Sequence, residues 1–457
     1  MLRRTVVRTR KHDLLADALE GRDTRRLRHL LARLDPVQIA TRLDNLSSEE
    51  RLVVLQQVDP ALRAEVLESM RYEAAADVVQ RLVPDEAARL VDELEVDDAV
   101  DILGRLSKDQ LEDILARLDA EDADELQDLL AYDENTAGGI MSPEVLRCTS
   151  DATVAEVLTM LRSAPEVPES SFYVYVVEPD GKLIGQVSLR ALVTNDPQTP
   201  VEDIMERDVV AVRAEMDQEE VADVVGRYDL VSVPVVDGQF RLLGKIDVDD
   251  VLDVMREEAT EDILKMAGAG EELAEAQSFR SAVKVRSRWL SAAALGGLFA
   301  ALNLAQFEHE LGQVPALSFF MPVVAGMGGN VGTQSATIVV RGLAVGYVGT
   351  DRLWQVVVRE MLLGAVLGLL YGLLVGGVAT LIGGTSVEPM QLGAVIALAM
   401  LGSMTLAASV GAGVPLLLDR LDVDPAVATG PFVTTTVDVL GLLLYLGLAR
   451  VLLGVGV

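Results

Sequence analysis

Five long apolar segments dominate the last third of the chain. They cover approximately residues 288–307, 315–339, 354–382, 390–417 and 425–451. A membrane-spanning helix needs about 20 predominantly apolar residues, and each segment is long enough. Because the bilayer core offers no water to unpaired backbone groups, such segments cross it as helices. The sequence therefore predicts an α-helical transmembrane domain with five spans over residues 286–457.

The loops between these segments predict their orientation. Arg280, Lys284, Arg286 and Arg288 precede the first segment, and basic loops also follow the second and fourth segments. The loop after the first segment, residues 308–310, contains neither Lys nor Arg. Basic residues favour the cytoplasmic side of a membrane. We therefore expect a multi-pass protein of the cell membrane, with a cytoplasmic N-terminus and an extracytoplasmic C-terminus.

One aspartate, Asp438, interrupts the fifth apolar segment. A carboxylate at mid-bilayer costs about 2.5 to 3.5 kcal/mol on insertion scales, so one that is retained usually has a function. No Lys or Arg lies near the centre of another segment to neutralise it, which leaves a cation from solution as its partner. In a homodimer, two copies of Asp438 would suit hydrated Mg²⁺ better than Ca²⁺, which takes about 6 to 8 direct oxygens. Asp438 therefore predicts ion permeation.

Residues near Asp438 and on the second segment predict a polar pathway. Pro431 lacks an N–H, so it would free the carbonyl of Val427 at membrane depth, which is tolerated where the backbone lines a wet cavity. Pro415 is expected to break the fourth segment near its inner end. The second segment carries polar residues at helical spacing. The predicted pore-lining residues are Asn330, Gln334, Gly430, Pro431, Thr434 and Thr435.

The N-terminal part repeats with a period near 12 residues between about 34 and 131. Each short amphipathic run begins near one of Pro36, Ser48, Pro60, Tyr72, Pro84, Asp97, Lys108 and Glu121. Plausible N-caps precede several of these starts, namely Asp35, Ser47, Asp59, Ser107 and Asp119. Short helices at fixed spacing stack as a solenoid. Residues 1–136 are therefore predicted to form an all-α, acidic regulatory domain.

Residues 137–250 contain a second internal repeat. Residues 174–188 match residues 233–247, and each copy predicts a strand, a tight turn, a strand and a helix. A further helix is expected upstream of each copy, near 153–162 and 218–226. The repeat resembles a tandem pair of CBS domains, which implies an α+β fold.

CBS pairs often bind adenine nucleotides through a Gly-x-x-Ser/Thr-x-x-Asp stretch. The first copy has Ser188 but Ala191 at the Asp position, and the second has Asp250 but Asp247 at the Ser/Thr position. Neither copy holds the complete motif, which puts nucleotide binding in question.

Residues 251–285 are predicted to form a connecting helix and linker that begins with a row of acids. The row, at helical spacings of three and four, consists of Asp250, Asp253, Glu257, Glu258, Glu261 and Asp262. Like charges at this spacing destabilise a helix unless something neutralises them. A solvated face is the alternative, but few basic residues offset the row. We therefore predict cation binding on this helix.

Charge and cysteine content exclude other classes. The net charge is −32, and nearly all of it lies before residue 270, so the chain is not expected to bind nucleic acid, which requires Lys and Arg. A single cysteine, Cys148, excludes an internal disulfide and a zinc pattern. No convergent nucleophile and base is present, so an enzyme is not expected. The alternatives are a channel or carrier for Co²⁺ or Mn²⁺, and a membrane-anchored receptor that senses Mg²⁺ or nucleotide.

Four stretches of this sequence resemble the MgtE family of magnesium channels. They are residues 321–325 and 328–335, residues 430–432 with the run around Asp438, and residues 258–263. The order of solenoid, two CBS domains, connecting helix and five spans also matches that family over nearly the whole chain. The resemblance implies a homodimeric inner-membrane protein in which Asp438 selects the ion.

The resemblance also implies regulation by intracellular Mg²⁺, which binds between the solenoid, the CBS pair and the connecting helix and holds the pore shut. The matching residues are Asp250, Glu258, Glu261 and Asp262 on the helix and Asp97, Asp98 and Asp101 on the solenoid. Mg²⁺ is thus expected both as the permeating ion and as the bound regulator.

Overall fold

The computed structural model describes residues 23–163, 172–267, 279–344, 353–382, 387–421, 423–428 and 430–454. The chain divides into two compact units, Met1–Arg256 and Glu257–Val457. The predicted linker between the connecting helix and the first span lies mostly outside the described residues.

Short helices make up the first part of unit 1. They are α1 Thr24–Leu31, α2 Pro36–Leu43, α3 Ser48–Leu55, α4 Arg63–Glu68, α5 Tyr72–Val79, α6 Pro84–Val91, α7 Val96–Gly104, α8 Lys108–Leu115 and α9 Ala120–Leu129, and a 3₁₀ turn at Pro60–Leu62 precedes α4. From Pro36 onward, a helix or 3₁₀ turn begins every twelve residues. The predicted starts are therefore confirmed to within one residue.

The predicted N-caps occupy the cap positions, but they differ in their hydrogen bonds. The Asp35 carboxylate accepts from the Gln38 N–H at 2.8 Å, and the Asp59 carboxylate accepts from the Ala61 N–H at 3.3 Å. The Ser47 N–H donates to Glu50 Oε2 at 3.0 Å, as in a capping box. Ser107 and Asp119 make no side-chain cap bond to their helices. Each helix buries one apolar stripe in a common core that includes Leu43, Val54, Leu67, Val78 and Leu103.

Two three-stranded sheets follow and confirm the predicted repeat. In the first, β1 Arg147–Cys148 lies parallel to β2 Tyr173–Val177, which pairs antiparallel with β3 Leu183–Ser188. In the second, β4 Val212–Arg213, β5 Ser232–Val236 and β6 Leu242–Asp247 have the same order and directions. The helices of this region are α10 Val154–Ser163, α11 Leu189–Thr194 and α12 Gln218–Tyr228. Strands β1 and β4 were not predicted, since each is only two residues long.

The acidic row forms a continuous helix, as predicted. This helix, α13, runs from Val248 to Met266, across the division between the two units. Val251 and Val254 are buried, whereas Leu252, Met255 and Ile263 are exposed.

Unit 2 is helical. Its helices are α14 Phe279–Ala305, α15 Glu308–Gln313, α16 Ala316–Ala344, α17 Leu353–Ile382, α18 Pro389–Asp419 and α19 Pro431–Leu453. Within the described residues, four stretches are long and apolar enough to cross a membrane, namely Ala282–Ala305, Trp354–Ile382, Pro389–Asp419 and Phe432–Leu453. The second predicted span, α16, is a continuous 29-residue helix. Its sequence contains glycines and polar residues, and it is not one of these four stretches. It packs against α18 and α19.

The helix break predicted at Pro431 is wrong, whereas its place among the pore-lining residues stays a prediction. Pro431 occupies the first turn of α19, where an N–H has no intrahelical acceptor and the fixed φ of proline suits the helix. A 3₁₀ turn at Pro425–Ala428 precedes it, so no helical hydrogen bond is broken within the fifth span. Asp438 consequently lies seven residues, about 10 Å, from the start of its helix rather than near its middle.

The predicted break at Pro415 is also wrong. Pro415 is buried inside α18, which continues to Asp419. Proline within a membrane helix is tolerated when neighbouring helices and local adjustments satisfy the freed carbonyl.

The segment predicted as a loop around Glu308 and Glu310 forms the short helix α15.

Candidate ion-binding sites

Asp438 on α19 faces a glycine of α16. A Cβ atom added to Gly329 would lie 3.7 Å from Asp438 Oδ1, so the absence of a side chain leaves space beside a half-buried carboxylate. Asn330 follows Gly329, and both Asn330 and Gln334 are exposed in the single chain. The structure therefore brings Asp438 next to the α16 segment that carries two of the predicted pore-lining residues.

The residues at the start of α19 have different neighbours. The hydroxyl of Thr434 lies 3.4 Å from the Gly430 carbonyl of the same helix turn. Thr435 packs against α14, because a Cβ added to Gly296 would meet Thr435 Cγ2. Thr434 and Thr435 are half-buried, and Gly430 is buried.

Close helix packing holds α16 in place beside Asp438. Gly328 approaches Ser403 of α18 and Val437 of α19, and Gly332 approaches Val433 and Val437. A Cβ at Gly411 of α18 would collide with the backbone of Gly332. Small residues allow membrane helices to approach this closely. The orientation of α16 is thus determined by its contacts with α18 and α19.

A buried carboxylate on α17 was not predicted from the sequence. Glu360 on α17 is 7% exposed, and its Oε2 accepts a hydrogen bond of 2.9 Å from the hydroxyl of Ser335 on α16. One turn later, Gly364 packs against the backbone of Met404 on α18. Glu360 was visible in the sequence as an acid within the predicted span 354–382.

In unit 1, acids of α7 and the start of α13 lie close together. Asp97, Asp98 and Asp101 are half-buried on α7, and Asp250 is half-buried on α13. Burial and then the charge of Asp97 raise the pKa values of Asp98 and Asp250 to about 9. Burial and then Glu95 raise the pKa of Asp97 to about 7. The predicted solenoid acids and Asp250 therefore form one repulsive cluster, which we call the cytosolic acid cluster.

Other residues that the sequence analysis did not identify contribute to this cluster. Glu68, Glu95 and Asp247 add negative charge, and burial raises the pKa values of both glutamates. Lys245, 4% exposed, forms an ion pair with Asp247. Glu68, Glu95 and the β6 pair of Lys245 and Asp247 come from three distant parts of the chain, so no local motif identifies them as one cluster.

Two arginines neutralise single members of the predicted acidic set. Arg105 lies 3.9 Å from Asp101 and stacks over Tyr72 at 5.2 Å. Burial raises the pKa of Asp101 to about 6, and the nearby Arg105 limits that rise. Arg256 donates to Asp253 Oδ1 at 2.7 Å, so Asp253 is engaged within its own helix.

Among the described acids of the cytosolic acid cluster, Asp97 and Asp247 each have an unsatisfied oxygen. Within the part of the chain that the structure describes, Asp97 Oδ1 is buried and has no hydrogen-bond partner. In the same residues, no group of three or more His, Cys, Asp or Glu side chains is close enough to hold a metal ion directly.

A second set of acids lies in unit 2, at the end of α13. Lys265 Nζ lies 2.7 Å from Asp424 Oδ2 and also contacts Glu261. Burial, then Asp424 and Glu258, raise the pKa of Asp262. The predicted residues Glu258, Glu261 and Asp262 are thus brought beside Asp424, a residue of the α18–α19 connection that the sequence analysis missed.

Family profiles account for most of the chain. The profile of the MgtE intracellular N domain matches residues 11–135, and the CBS domain profile matches 137–196 and 201–257. The MgtE profile, described as a divalent cation transporter, matches residues 321–448. The magnesium transporter MgtE of Thermus thermophilus is 42% identical over 331 residues, which cover 72% of each chain. The chain belongs to the MgtE family.

Further MgtE proteins are similar to this chain. The magnesium transporter MgtE of Enterococcus faecalis is 35% identical over 325 residues, or 71% of each chain. A crystal structure of the cytosolic domain of the Mg²⁺ channel MgtE in complex with ATP is 39% identical, covers 53% of this chain and 98% of that one, and superposes with a TM-score of 0.49. The predicted resemblance to MgtE and the predicted CBS pair are confirmed. The boundaries at residues 136, 250 and 285 stay predictions.

Proposed function

We propose that this MgtE-family protein conducts Mg²⁺ into the cell and is closed by Mg²⁺ bound to its cytosolic acids. The observation that carries the proposal is the position of Asp438 beside Gly329. An ionisable residue within a membrane helix usually marks an ion pathway. The relatives named as magnesium transporters support Mg²⁺ as the ion.

The pathway is proposed to lie on the axis of a homodimer. One carboxylate is a sparse ligand set, whereas two copies of Asp438 would hold Mg²⁺ through its retained waters. Asn330 and Gln334, exposed in the single chain, would then line the approach to the ion, together with Gly430, Pro431, Thr434 and Thr435. In this arrangement α16 is a fifth span, and the C-terminus is extracytoplasmic.

Closure is proposed to depend on the two acidic sets. Without Mg²⁺, burial and then like charges disfavour the ionised forms of Asp98 and Asp250 in the cytosolic acid cluster, as their raised pKa values indicate. Mg²⁺ would neutralise this cluster and also Glu258, Glu261, Asp262 and Asp424. A ligand shifts an equilibrium only by its differential affinity for the two states, and such affinity for the closed state would shut the pore.

Nucleotide binding has weaker support in this chain. A relative's cytosolic domain has been solved with ATP. Here the Ser188 hydroxyl, which belongs to the incomplete first motif, accepts from the Ala191 N–H at 3.2 Å and caps α11. Asp250 of the second motif lies in the cytosolic acid cluster. We therefore assign both residues to structure and Mg²⁺ sensing.

The deciding experiment is Mg²⁺ uptake by liposomes that contain the purified full chain, measured against the Mg²⁺ concentration on the cytosolic side. We expect uptake that falls as this concentration rises. Absence of uptake would favour a sensing receptor, and faster uptake of Co²⁺ or Mn²⁺ would favour another divalent ion.

A further inference from the structure

The buried pair of Ser335 and Glu360 has no part in the function proposed so far. Both side chains are almost inaccessible, at 3% and 7% exposed, and the Ser335 hydroxyl donates to Glu360 Oε2 at 2.9 Å. Ser335 lies on α16, six residues after Gly329, and Glu360 lies near the start of α17. A carboxylate buried among membrane helices is costly, so its retention requires a specific contribution.

The contribution follows from how α16 is packed. Gly328 lies close to Ser403 of α18, and both Gly328 and Gly332 lie close to Val437 of α19, so these contacts set how closely the helices approach. The bond between Ser335 and Glu360 is a directional contact at the next position of the same buried face. A hydrogen bond is strong only over a narrow range of donor–acceptor distances and angles. This bond therefore opposes rotation and translation of α16.

Glu360 is itself on a well-anchored helix. Gly364, Gly368, Gly372 and Gly376 of α17 each approach the backbone of α18 so closely that a Cβ atom would collide with it. The carboxylate is thus presented from a closely packed pair of helices. A small rotation of α16 would move Gly329 and Asn330 relative to Asp438, where the ion is proposed to pass.

We propose that Glu360 is a positioning residue for ion conduction, which holds α16 through Ser335 so that Gly329 stays beside Asp438. The inference rests on the proposed function. It predicts that losing the hydrogen bond changes both the rate of Mg²⁺ conduction and the discrimination between Mg²⁺ and other divalent ions. A residue needed only for folding would change the amount of active protein and not this discrimination.

The test measures uptake of Mg²⁺ and of Mn²⁺ by liposomes containing the full chain, normalised to folded protein by size-exclusion chromatography. Ser335→Ala and Glu360→Ala should each lower Mg²⁺ uptake about tenfold, as expected for loss of a buried hydrogen bond, and change the Mg²⁺/Mn²⁺ ratio. Ser335→Thr and Glu360→Gln keep a donor and an acceptor, so they should stay within about twofold of wild type. The double alanine variant should lose little more Mg²⁺ uptake than either single variant, because the two residues share one hydrogen bond.

Glu388→Gln is the matched control, because Glu388 is an exposed acid at the start of α18 without a side-chain cap bond. This variant should change neither the rate of Mg²⁺ uptake nor the Mg²⁺/Mn²⁺ ratio. The inference is overturned if Ser335→Ala keeps the wild-type rate and ion ratio, or if Glu360→Gln is as damaging as Glu360→Ala. If the Glu360 variants fail to fold, the result for Ser335→Ala alone tests the inference. Wild-type liposomes that take up no Mg²⁺ would refute the proposed function instead, so the two failures are distinguishable.

Discussion

Lys265 Nζ lies 2.7 Å from Asp424 Oδ2, which joins the end of α13 to the connection between α18 and α19. The same ammonium contacts Glu261, so one lysine neutralises acids from two elements of unit 2. Asp424 lies seven residues before the start of α19, the helix that carries Asp438. The Lys265 ammonium is therefore a positive charge of the protein itself, and it lies among the acids of unit 2 that are proposed to bind Mg²⁺.

Replacing Lys265 should open the channel at low Mg²⁺. In Lys265→Met, Glu261 and Asp424 would repel each other and Asp262 until a divalent ion neutralises them. We expect higher uptake than wild type when the cytosolic side contains no Mg²⁺, with closure retained at high Mg²⁺. Lys265→Arg keeps the charge and serves as the control. Unchanged uptake of Lys265→Met without Mg²⁺ would show that the ion pair does not contribute to closure.

Neutralising Asp438 should abolish conduction. Asp438→Asn keeps the shape of the side chain but removes the charge that attracts the cation, so Mg²⁺ uptake should fall by at least about tenfold. Elution of the variant at the wild-type position in size-exclusion chromatography would show that folding is preserved. Undiminished uptake by a folded Asp438→Asn protein would contradict the assignment of Asp438 to the pathway.

The space beside Gly329 should be required for conduction. A Cβ atom there makes ordinary contact with Asp438 Oδ1 at 3.7 Å, so Gly329→Ala should conduct, whereas the larger side chain of Gly329→Leu should block uptake. Gly326 lies on the same helix with nothing within 4 Å of its added Cβ, which makes Gly326→Leu the matched control. Equal uptake by both leucine variants would place the pathway elsewhere.

Removing charge from the cytosolic acid cluster should stabilise the protein and weaken its response to Mg²⁺. Burial and neighbouring acids raise the pKa values of Asp98 and Asp250 to about 9, so folding near pH 7 has to protonate these carboxyls. Asp98→Asn and Asp250→Asn each remove that cost, so thermal unfolding of the full chain without Mg²⁺ should move upward by the equivalent of about 1 kcal/mol. Mg²⁺ should then add less stability than it adds to wild type. Asp92→Asn changes an exposed acid at the end of α6 and should alter neither value. An undiminished Mg²⁺ response in both cluster variants would exclude them as ligands.

Stability without Mg²⁺ should fall as the pH rises. The folded-state pKa values of Asp97, Asp98, Asp101 and Asp250 are raised from 3.8 to between about 6 and about 9. The folded state therefore binds more protons than the unfolded state, and stability that is present below about pH 4 is lost progressively up to about pH 9. Thermal unfolding of the full chain across this range tests the sign. Mg²⁺ should restore most stability at the alkaline end, because its ligands must be deprotonated.

Much of the fold follows from local patterns that a sequence displays directly. The twelve-residue spacing from Pro36 onward places each helix start to within a residue, since caps and apolar periodicity act over one or two turns. The matching strands ending at Ser188 and Asp247 were predictable for the same reason. Proline was harder to interpret, because Pro431 suits the first turn of a helix as well as it breaks the middle of one.

The sequence by itself determined the helical repeat, the CBS pair, the apolar segments and the family, and it identified Asp438 as the unusual charge. Only the tertiary structure decided which residues meet: Gly329 with Asp438, Ser335 with Glu360, Asp97 with Asp250, and Lys265 with Asp424. Secondary structure arises from neighbours along the chain, and hydropathy reports composition alone. Contacts between residues far apart in the chain depend on helix orientation and close packing, which no local pattern encodes.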